Sequence, residues 1–185
     1  MKHVILDRDG VINEDSSEFI KSVAEWKPIP GSLEAIARLC QAGYRVFIAS
    51  NQSGIGRGIY DYDAFCAMNE RMQKLLGELG GRIDGFEFAP DHPDAATEFR
   101  KPAPGMLKDL ARRLQISLDE VPFVGDSLSD IQAARAAGAR PVLVRSGNGR
   151  QAETEPGLHG VAVYDDLAAF ASALLAAQQA LPGYA

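Results

Sequence analysis

Polar and charged side chains that can take part in catalysis occur at four places in this sequence, each at the end of a short apolar run or in the loop that follows it. The four clusters are Asp7 with Asp9, Ser50 with Asn51, Arg100 with Lys101, and Asp126 with Asp130. The carboxylates of Asp7, Asp9 and Asp126 are hard oxygen ligands that suit Mg²⁺, and a cation offsets the repulsion among crowded acids. A serine hydroxyl and a lysine ammonium donate to phosphate oxygens. Together the clusters predict a site for phosphoryl transfer.

Each cluster also has a purely structural interpretation. An isolated Asp after a strand is more often a helix cap or a turn residue. Ser50-Asn51 alone is a turn signal, and Lys101 alone is a solvated surface charge. The combination of acids, a hydroxyl and a base at successive strand ends favours the catalytic interpretation.

The spacing of apolar residues predicts that strands and helices alternate along the chain. The predicted strands are residues 3–6, 44–49, 83–89, 121–124, 141–144 and 161–163. Helices are predicted between them, the first with Ser32 as its N-cap. This alternation predicts an α/β fold, a doubly wound parallel sheet in a three-layer α/β/α arrangement. The four clusters should then meet at the carboxyl ends of the strands, where open sheets of this kind bind ligands.

Two irregular segments are expected to flank that edge of the sheet. Residues 10–26 mix polar and apolar residues without a period and predict a flap, and residues 90–104 are rich in Pro and Asp and predict a loop. Both segments are too short to form an independent folded domain. We therefore expect one domain over residues 1–185, an open site and no large cap.

The composition limits the kinds of molecule that the protein is expected to bind. The chain has 185 residues, 46% of them hydrophobic. Its 19 basic and 25 acidic residues give a net charge of -6. This negative charge provides no general attraction for nucleic acid or an anionic membrane. Cys40 and Cys66 lie far apart in the sequence and are expected to be reduced thiols. No run reaches the roughly 18 apolar residues of a membrane span. These features predict a cytoplasmic protein, and we expect it to be a monomer that acts on a small molecule.

The order and spacing of the four clusters resemble the four motifs of haloacid dehalogenase-like (HAD) phosphatases, over residues 7–130. Within that superfamily, two stretches are similar to the D,D-heptose 1,7-bisphosphate 7-phosphatases, namely LDRDGVIN at residues 6–13 and SNQSGIGRG at residues 50–58. FRKP at residues 99–102 and PGML at residues 104–107 strengthen the match. The resemblance implies removal of the 7-phosphate of D-glycero-D-manno-heptose 1,7-bisphosphate, in the synthesis of ADP-heptose and lipopolysaccharide core precursors.

The resemblance also implies a role for each cluster. Asp7 attacks phosphorus to form an aspartyl phosphate, and Asp9 protonates the leaving sugar oxygen. The Asp7 carboxylate, the Asp9 backbone carbonyl and Asp126 hold Mg²⁺. Ser50 and Lys101 stabilise the transferring group, and Asp130 orients Lys101 or a water on the metal. The residues expected to meet the sugar and its distal phosphate are Asp15, Ser16, Ser17, Glu18, Asn51, Gln52, Ser53, Arg57 and Arg100.

One loop departs from the family pattern. Members commonly carry a zinc-binding loop of three cysteines and one histidine just before the Arg-Lys pair. In residues 90–99 only His92 remains, and a closed structural zinc site needs four ligands. We therefore expect no zinc, and His92 is expected to be a loop residue near the site entrance.

Three other functions stay open at this point. A histidinol-phosphate phosphatase shares the opening motif, although its second motif typically lacks Ser53 and the Arg57-Gly58 pattern. A non-catalytic module that binds a phosphorylated ligand is disfavoured, because Asp7 and Asp9 together repel an anion. A phosphotransferase would use a sugar acceptor in place of water. Both anomers of the heptose bisphosphate, and other small sugar phosphates, also stay open as substrates.

Overall fold

In the computed structural model, which describes residues 2–179, six strands form one sheet. Residues 1 and 180–185 of the predicted domain lie outside the described residues. The strands are β1 (Lys2–Leu6), β2 (Tyr44–Asn51), β3 (Gly85–Ala89), β4 (Pro122–Gly125), β5 (Arg140–Val144) and β6 (Ala162–Tyr164). Their order in the sheet is β3-β2-β1-β4-β5-β6, and every neighbouring pair is parallel. The predicted parallel sheet is confirmed.

Helices connect these strands. They are α1 (Ser32–Gln41), α2 (Ser53–Gly56), α3 (Tyr62–Glu78), α4 (Gly105–Leu114), α5 (Leu128–Ala137), α6 (Gly149–Ala152) and α7 (Leu167–Gln179), with a 3₁₀ turn at Pro93–Ala95. Helices α2 and α6 are single turns that follow β2 and β5. Within residues 2–179, no helix combines the length and the apolar character needed to cross a membrane.

The start of α1 differs from the prediction. Ser32 is the first residue of the helix, and the cap position is Gly31, whose φ of 82° is left-handed. The Ser32 hydroxyl instead donates to the backbone oxygen of Ile12 at 2.6 Å. The predicted N-cap is therefore wrong, because this hydroxyl ties α1 to the segment that follows β1.

Two apolar layers cover the faces of the sheet. Successive strand residues point to opposite faces, so Val4 and Leu6 of β1 pack with α1, α3 and α7, whereas Ile5 and Phe47 pack with α4 and α5. Burial on both faces explains why the β1 sequence is a continuous apolar run. Helices on both faces confirm the predicted doubly wound arrangement.

Strand β1 lies at the point where the order of the strands reverses. It pairs with β2 on one side and with β4 on the other. The backbone N–H of Asp7, directly after β1, donates to the carbonyl oxygen of Val124 in β4 at 2.8 Å. Open α/β sheets bind ligands outside the carboxyl ends of the strands at such a switch point. The sheet therefore brings the ends of β1, β2 and β4 to one edge.

Residues 7–31 hold no helix or strand and fold as a series of turns beyond β1. The Arg8 carbonyl accepts from the Ile12 N–H at 2.8 Å, and the Ile12 carbonyl accepts from the Ile29 N–H at 2.9 Å. These bonds anchor the base of the flap, while residues 14–18 are mostly exposed. The flap is a short irregular segment and not a folded cap, as predicted.

Candidate active site

A pocket of about 350 Å³ opens at the carboxyl edge of the sheet. The predicted site residues that line it are Asp7, Asp9, Asp15, Ser16, Ser17, Ser50, Asn51, Gln52, Ser53, Arg100, Lys101 and Asp126. Three others lie outside the lining. Asp130 is buried behind Lys101, whereas Glu18 and Arg57 are exposed. The structure thus brings the four clusters together at one pocket.

Asp7 and Lys101 form a buried ion pair at the floor of the pocket. The Lys101 Nζ lies 2.9 Å from Asp7 Oδ2 and 2.6 Å from Asp130 Oδ1, and it donates to the Ala49 carbonyl at 3.0 Å. Lys101 is only 3% exposed, so these three acceptors compensate for its lost hydration. Burial lowers the pKa of Lys101, but Asp130 and Asp7 outweigh burial and raise that pKa above its usual value. The ammonium therefore stays charged.

Asp7, Asp126 and Asp130 form an acidic group whose ligand oxygens lie within 4.8 Å of one another. Burial, and then repulsion from Asp130 and Asp7, raises the pKa of Asp126 to about 8. Burial also raises the pKa of Asp7 to about 7, although Lys101 opposes the shift. Asp130 faces Lys101 and accepts from Ser127, so it is already compensated. Asp7 and Asp126 are left as the carboxylates that a hard cation would stabilise.

Two glycines lie against the Asp126 carboxylate. A Cβ at Gly10 would lie 2.1 Å from Asp126 Oδ2 and one at Gly147 would lie 2.2 Å from it, and both glycines have positive φ, 78° and 56°. The Asn148 backbone N–H donates to the same oxygen at 2.8 Å and its side-chain amide at 3.2 Å. Gly147 and Asn148 were not among the residues predicted from the sequence. They could have been found by the strand-end pattern, because they follow β5 at the same edge.

Asp9 accepts hydrogen bonds from three side chains. Arg8 donates from Nε at 3.1 Å and Nη2 at 3.0 Å, and Asn13 and Gln52 each donate from their side-chain amides at 2.8 Å. Arg8 is 1% exposed, and its guanidinium carbon lies 5.4 Å from the centroid of the Phe65 ring. Arg8 and Asn13 were not predicted as site residues, because nothing in the local sequence indicates that their polar side chains are buried against Asp9.

Ser50 and Asn51, the last residues of β2, make different contacts. Ser50 is buried, and its Oγ accepts from the Gln52 amide at 2.9 Å. Asn51 Oδ1 accepts from the Lys101 backbone N–H, and Asn51 Nδ2 donates to the Lys101 carbonyl, both at 3.0 Å. Both ends of the Asn51 amide therefore hold the Lys101 loop against β2.

Two arginines lie at the mouth of the pocket, and we call this region the rim, made up of Arg57, Arg100 and flap residues 15–19. Arg100 donates from Nη1 to the Asp91 carbonyl at 3.3 Å. Burial lowers the pKa of Arg100, Asp91 opposes this, and nearby Arg57 lowers it further. The Arg57 guanidinium carbon lies 6.0 Å from the centroid of the Phe19 ring, which lines the pocket. Two neighbouring positive charges at the mouth suit an anion.

His92 lies outside the pocket lining. Its Nδ1 accepts from the Asp94 backbone N–H at 3.2 Å and caps the 3₁₀ turn of the loop. The two cysteines lie on helices, with Cys40 on α1 donating from Sγ to the Arg82 carbonyl at 3.3 Å and Cys66 exposed on α3. His92 therefore has a structural contact of its own in this loop.

The parallel sheet, the acids at its strand ends and the buried lysine define a HAD-like hydrolase. A family model described as HAD-hydrolase-like matches residues 98–170. The D-glycero-beta-D-manno-heptose-1,7-bisphosphate 7-phosphatase of Bordetella bronchiseptica is 50% identical over 176 residues, 95% of this chain and 98% of that protein. The Pseudomonas aeruginosa protein of the same name is 49% identical over 172 residues, 93% of this chain and 97% of that protein.

Solved structures agree with these relatives. The D,D-heptose 1,7-bisphosphate phosphatase of B. bronchiseptica, crystallised with magnesium and phosphate, has a TM-score of 0.94 at 50% identity and covers 97% of this chain and 100% of its own. The Burkholderia thailandensis enzyme has a TM-score of 0.75 at 44% identity, with 95% and 99% covered. This chain belongs to the D-glycero-beta-D-manno-heptose-1,7-bisphosphate 7-phosphatase family. The family resemblance found in the motifs is confirmed.

Proposed function

We propose that this chain is a Mg²⁺-dependent phosphatase that removes the 7-phosphate of D-glycero-β-D-manno-heptose 1,7-bisphosphate. The observation that carries the proposal is the buried Asp7, ion-paired with Lys101 and adjacent to Asp126 at the end of the central strand. Relatives that share half of its residues carry this name. The heptose 1-phosphate product serves the synthesis of ADP-heptose and lipopolysaccharide core precursors.

The donor set at the floor fits Mg²⁺. The carboxylates of Asp7 and Asp126 and the backbone carbonyl of Asp9 hold the ion, because hard oxygen ligands are what Mg²⁺ prefers. The raised pKa values of Asp7 and Asp126 support this assignment, since both record negative charge that lacks full compensation from the protein. When bound, Mg²⁺ offsets the repulsion between the nucleophile and the phosphate.

The protein side chains carry out two displacements. A carboxylate oxygen of Asp7 bonds to phosphorus as the bond from phosphorus to the sugar oxygen breaks, and Asp9 gives its proton to that oxygen. A water oxygen then bonds to phosphorus, its proton passes to Asp9, and the bond to Asp7 breaks. Lys101 balances charge on the transferring group, and the Ser50 hydroxyl donates to it. Only water is consumed.

The rim selects the substrate. Arg57 and Arg100 bind the distal phosphate, because charge-assisted hydrogen bonds from guanidinium groups suit phosphate oxygens. Ser16 and Ser17 of the flap line the pocket and contact the sugar. Asp15 accepts from the Asn148 side chain at 2.8 Å and so links the flap to the loop after β5.

Phosphate release across a panel tests the proposed substrate. The panel contains both anomers of the heptose bisphosphate, fructose 1,6-bisphosphate and histidinol phosphate, each with Mg²⁺. We expect the β anomer to have the largest kcat/KM, by about tenfold or more, which is the scale of about 1.4 kcal/mol of selective binding. Comparable values for all four would remove the heptose assignment and leave a general phosphatase. A clear preference for histidinol phosphate would favour that rival, and a phosphorylated sugar acceptor among the products would indicate a phosphotransferase.

We also propose that the enzyme contains no zinc. The physical reason is the number of ligands, because the loop of residues 90–99 offers His92 and no cysteine. EDTA should abolish activity without unfolding the protein, and added Mg²⁺ should restore activity fully. Elemental analysis of the purified protein checks this directly. One equivalent of zinc, lost together with the native fold on chelation, would contradict it.

We further propose that the enzyme works as a monomer in the cytoplasm. The residues proposed for catalysis and metal binding, Asp7, Asp9, Ser50, Lys101 and Asp126, line one pocket of a single chain, which supports a monomer. Two cysteines without a disulfide suit a reducing compartment. Light scattering at the concentration of the activity assay should give the mass of one chain, and cell fractionation should recover the protein with cytoplasmic markers.

A further inference from the structure

Gln52 uses every hydrogen-bonding position of its amide within the candidate site. Its Nε2 donates to Asp9 Oδ2 at 2.8 Å and to Ser50 Oγ at 2.9 Å. Its Oε1 accepts from Arg8 Nη2 at 3.0 Å and from the Tyr60 hydroxyl at 2.6 Å. The reversed amide would place its oxygen against the Asp9 carboxylate and its NH₂ against the Arg8 guanidinium. The charges on both sides therefore fix the orientation of the Gln52 amide.

This orientation determines how Ser50 presents its hydroxyl group. Because Ser50 Oγ accepts a hydrogen from Gln52, its own hydrogen stays available for donation. Ser50 lines the pocket, so the available acceptor is an oxygen of the bound phosphate. A group that donated no hydrogen at position 52 would leave the Ser50 hydroxyl free to turn away from the phosphate.

Tyr60 reaches Gln52 because Gly54 has no side chain. A Cβ at Gly54 would lie 2.1 Å from a carbon of the Tyr60 ring. Burial raises the pKa of Tyr60 to about 12, although the Arg8 charge opposes the shift, so the phenol stays protonated and donates to Gln52. The glycine in this turn is therefore needed for the close approach of an aromatic ring.

We propose that Gln52, held by Arg8 and Tyr60, is a positioning residue that aligns Asp9 with the leaving oxygen and turns the Ser50 hydroxyl toward the phosphate. The inference rests on the proposed function and deepens it. It also revises the expectation that Gln52 contacts the sugar, since Gln52 is 2% exposed and its four hydrogen-bonding positions are taken by protein groups.

If Gln52 aligns Asp9, the effect of changing Gln52 should depend on how much the leaving group needs a proton. A sugar oxygen needs a proton as it leaves, whereas p-nitrophenolate is stable enough to leave without one. Misalignment of Asp9 should therefore slow the hydrolysis of the sugar bisphosphate far more than that of p-nitrophenyl phosphate. Loss of the Ser50 contact alone should slow both reactions alike, because both substrates present the same phosphate.

The test compares two variants on these two substrates. Gln52→Met keeps the side-chain volume and removes all four hydrogen bonds, and it should lower kcat for heptose bisphosphate by about 10²-fold, with KM changed less than about threefold. Its kcat for p-nitrophenyl phosphate should fall by less than about tenfold. Tyr60→Phe removes one donor to Gln52 and should show the same selectivity at about three- to tenfold.

Tyr62→Phe is the matched control, because Tyr62 begins α3, is 53% exposed and lies outside the pocket lining. It should leave both rates unchanged, and circular dichroism should show that each variant folds. Equal losses on the two substrates would overturn positioning through Asp9, and a raised KM with unchanged kcat would restore a direct sugar contact. If Gln52→Met does not fold, Tyr60→Phe decides by the same ratio. A wild-type enzyme that hydrolyses neither substrate would instead refute the proposed function.

Discussion

The floor and the rim of the pocket differ in how the protein holds their charged groups. At the floor, Lys101 is buried and forms ion pairs with the buried carboxylates of Asp7 and Asp130. At the rim, Glu18 and Arg57 are exposed. A buried charge must have a partner for the chain to fold, whereas an exposed charge is solvated by water. The floor is therefore part of the folded core, whereas the exposed residues of the rim can change with little effect on folding.

Asp7→Asn tests the floor with the largest expected effect. An amide cannot form the phosphoenzyme at a useful rate, so kcat should fall by about 10⁴-fold or more. The fold should persist, because Lys101 keeps its contacts with Asp130 and the Ala49 carbonyl. Steady-state kinetics and a thermal melt measure the two properties separately. Activity close to that of the wild type would exclude the covalent mechanism.

Lys101→Met tests whether a single buried residue of the floor contributes to both catalysis and the stability of the fold. The change leaves the buried Asp130 without its cation, and removal of one partner of a buried ion pair costs about 3–5 kcal/mol. It also removes the charge that faces the transferring group, so kcat should fall by about 10² to 10³-fold. Urea unfolding and kinetics check the two effects. A large loss of activity without loss of stability would contradict the expectation that the Lys101 ammonium serves both catalysis and folding.

The polar clusters of the floor could be predicted from sequence because strands of a parallel sheet all point the same way. Polar residues that follow β1, β2 and β4 must then lie at one edge, whatever the details of the loops. Asp130 shows the limit of this reasoning, since it caps α5 through Ser127 and also pairs with Lys101. Asp130 therefore combines a capping contact with an ion pair to the lysine of the site.

The partners of these residues could not be predicted in the same way. Asn51 binds the Lys101 backbone across about fifty residues of sequence, and Arg8 is buried next to an acid that it was not expected to orient. Such pairings depend on loop paths, which no local periodicity encodes. Contacts at the rim were also difficult to predict from sequence. Glu18 and Arg57 were predicted to meet the sugar or its distal phosphate, but both lie outside the pocket lining.

The pH dependence of stabilisation by Mg²⁺ tests the charge of the floor. Asp7 and Asp126 have folded-state pKa values of about 7 and about 8, against about 3.9 in the unfolded chain. The native state therefore holds more protons than the unfolded state between these values, and the metal-free protein loses stability as pH rises toward 8. Mg²⁺ binds the deprotonated carboxylates, so the gain in Tm on adding Mg²⁺ should grow from pH 6 to pH 8. Asp126→Asn should flatten this dependence, and a gain that is independent of pH in the wild type would contradict the assignment.

Arg57→Met is the counterpart of Lys101→Met at the rim and has the smallest expected effect. Because Arg57 is exposed, the unfolding free energy should change by less than about 0.5 kcal/mol. KM for the bisphosphate should rise by about tenfold with kcat nearly unchanged, since the lost contact binds the distal phosphate equally in the ground state and the transition state. Sugar monophosphates supply the control, as their KM should not respond. A fall in kcat without a change in KM would move Arg57 into the catalytic floor.

The most direct test of the account is to trap the phosphoenzyme with heptose bisphosphate labelled with ³²P at the 7-phosphate. Rapid quench in acid should show protein-bound label that hydroxylamine releases, and borohydride reduction of the quenched enzyme should mark residue 7. In Asp9→Asn the label should both appear and disappear more slowly than in the wild type, because Asp9 protonates the leaving oxygen and also activates the hydrolytic water. Label on Asp126, or labelled phosphate released with no protein-bound label in either enzyme, would contradict the assignment of Asp7 as the nucleophile.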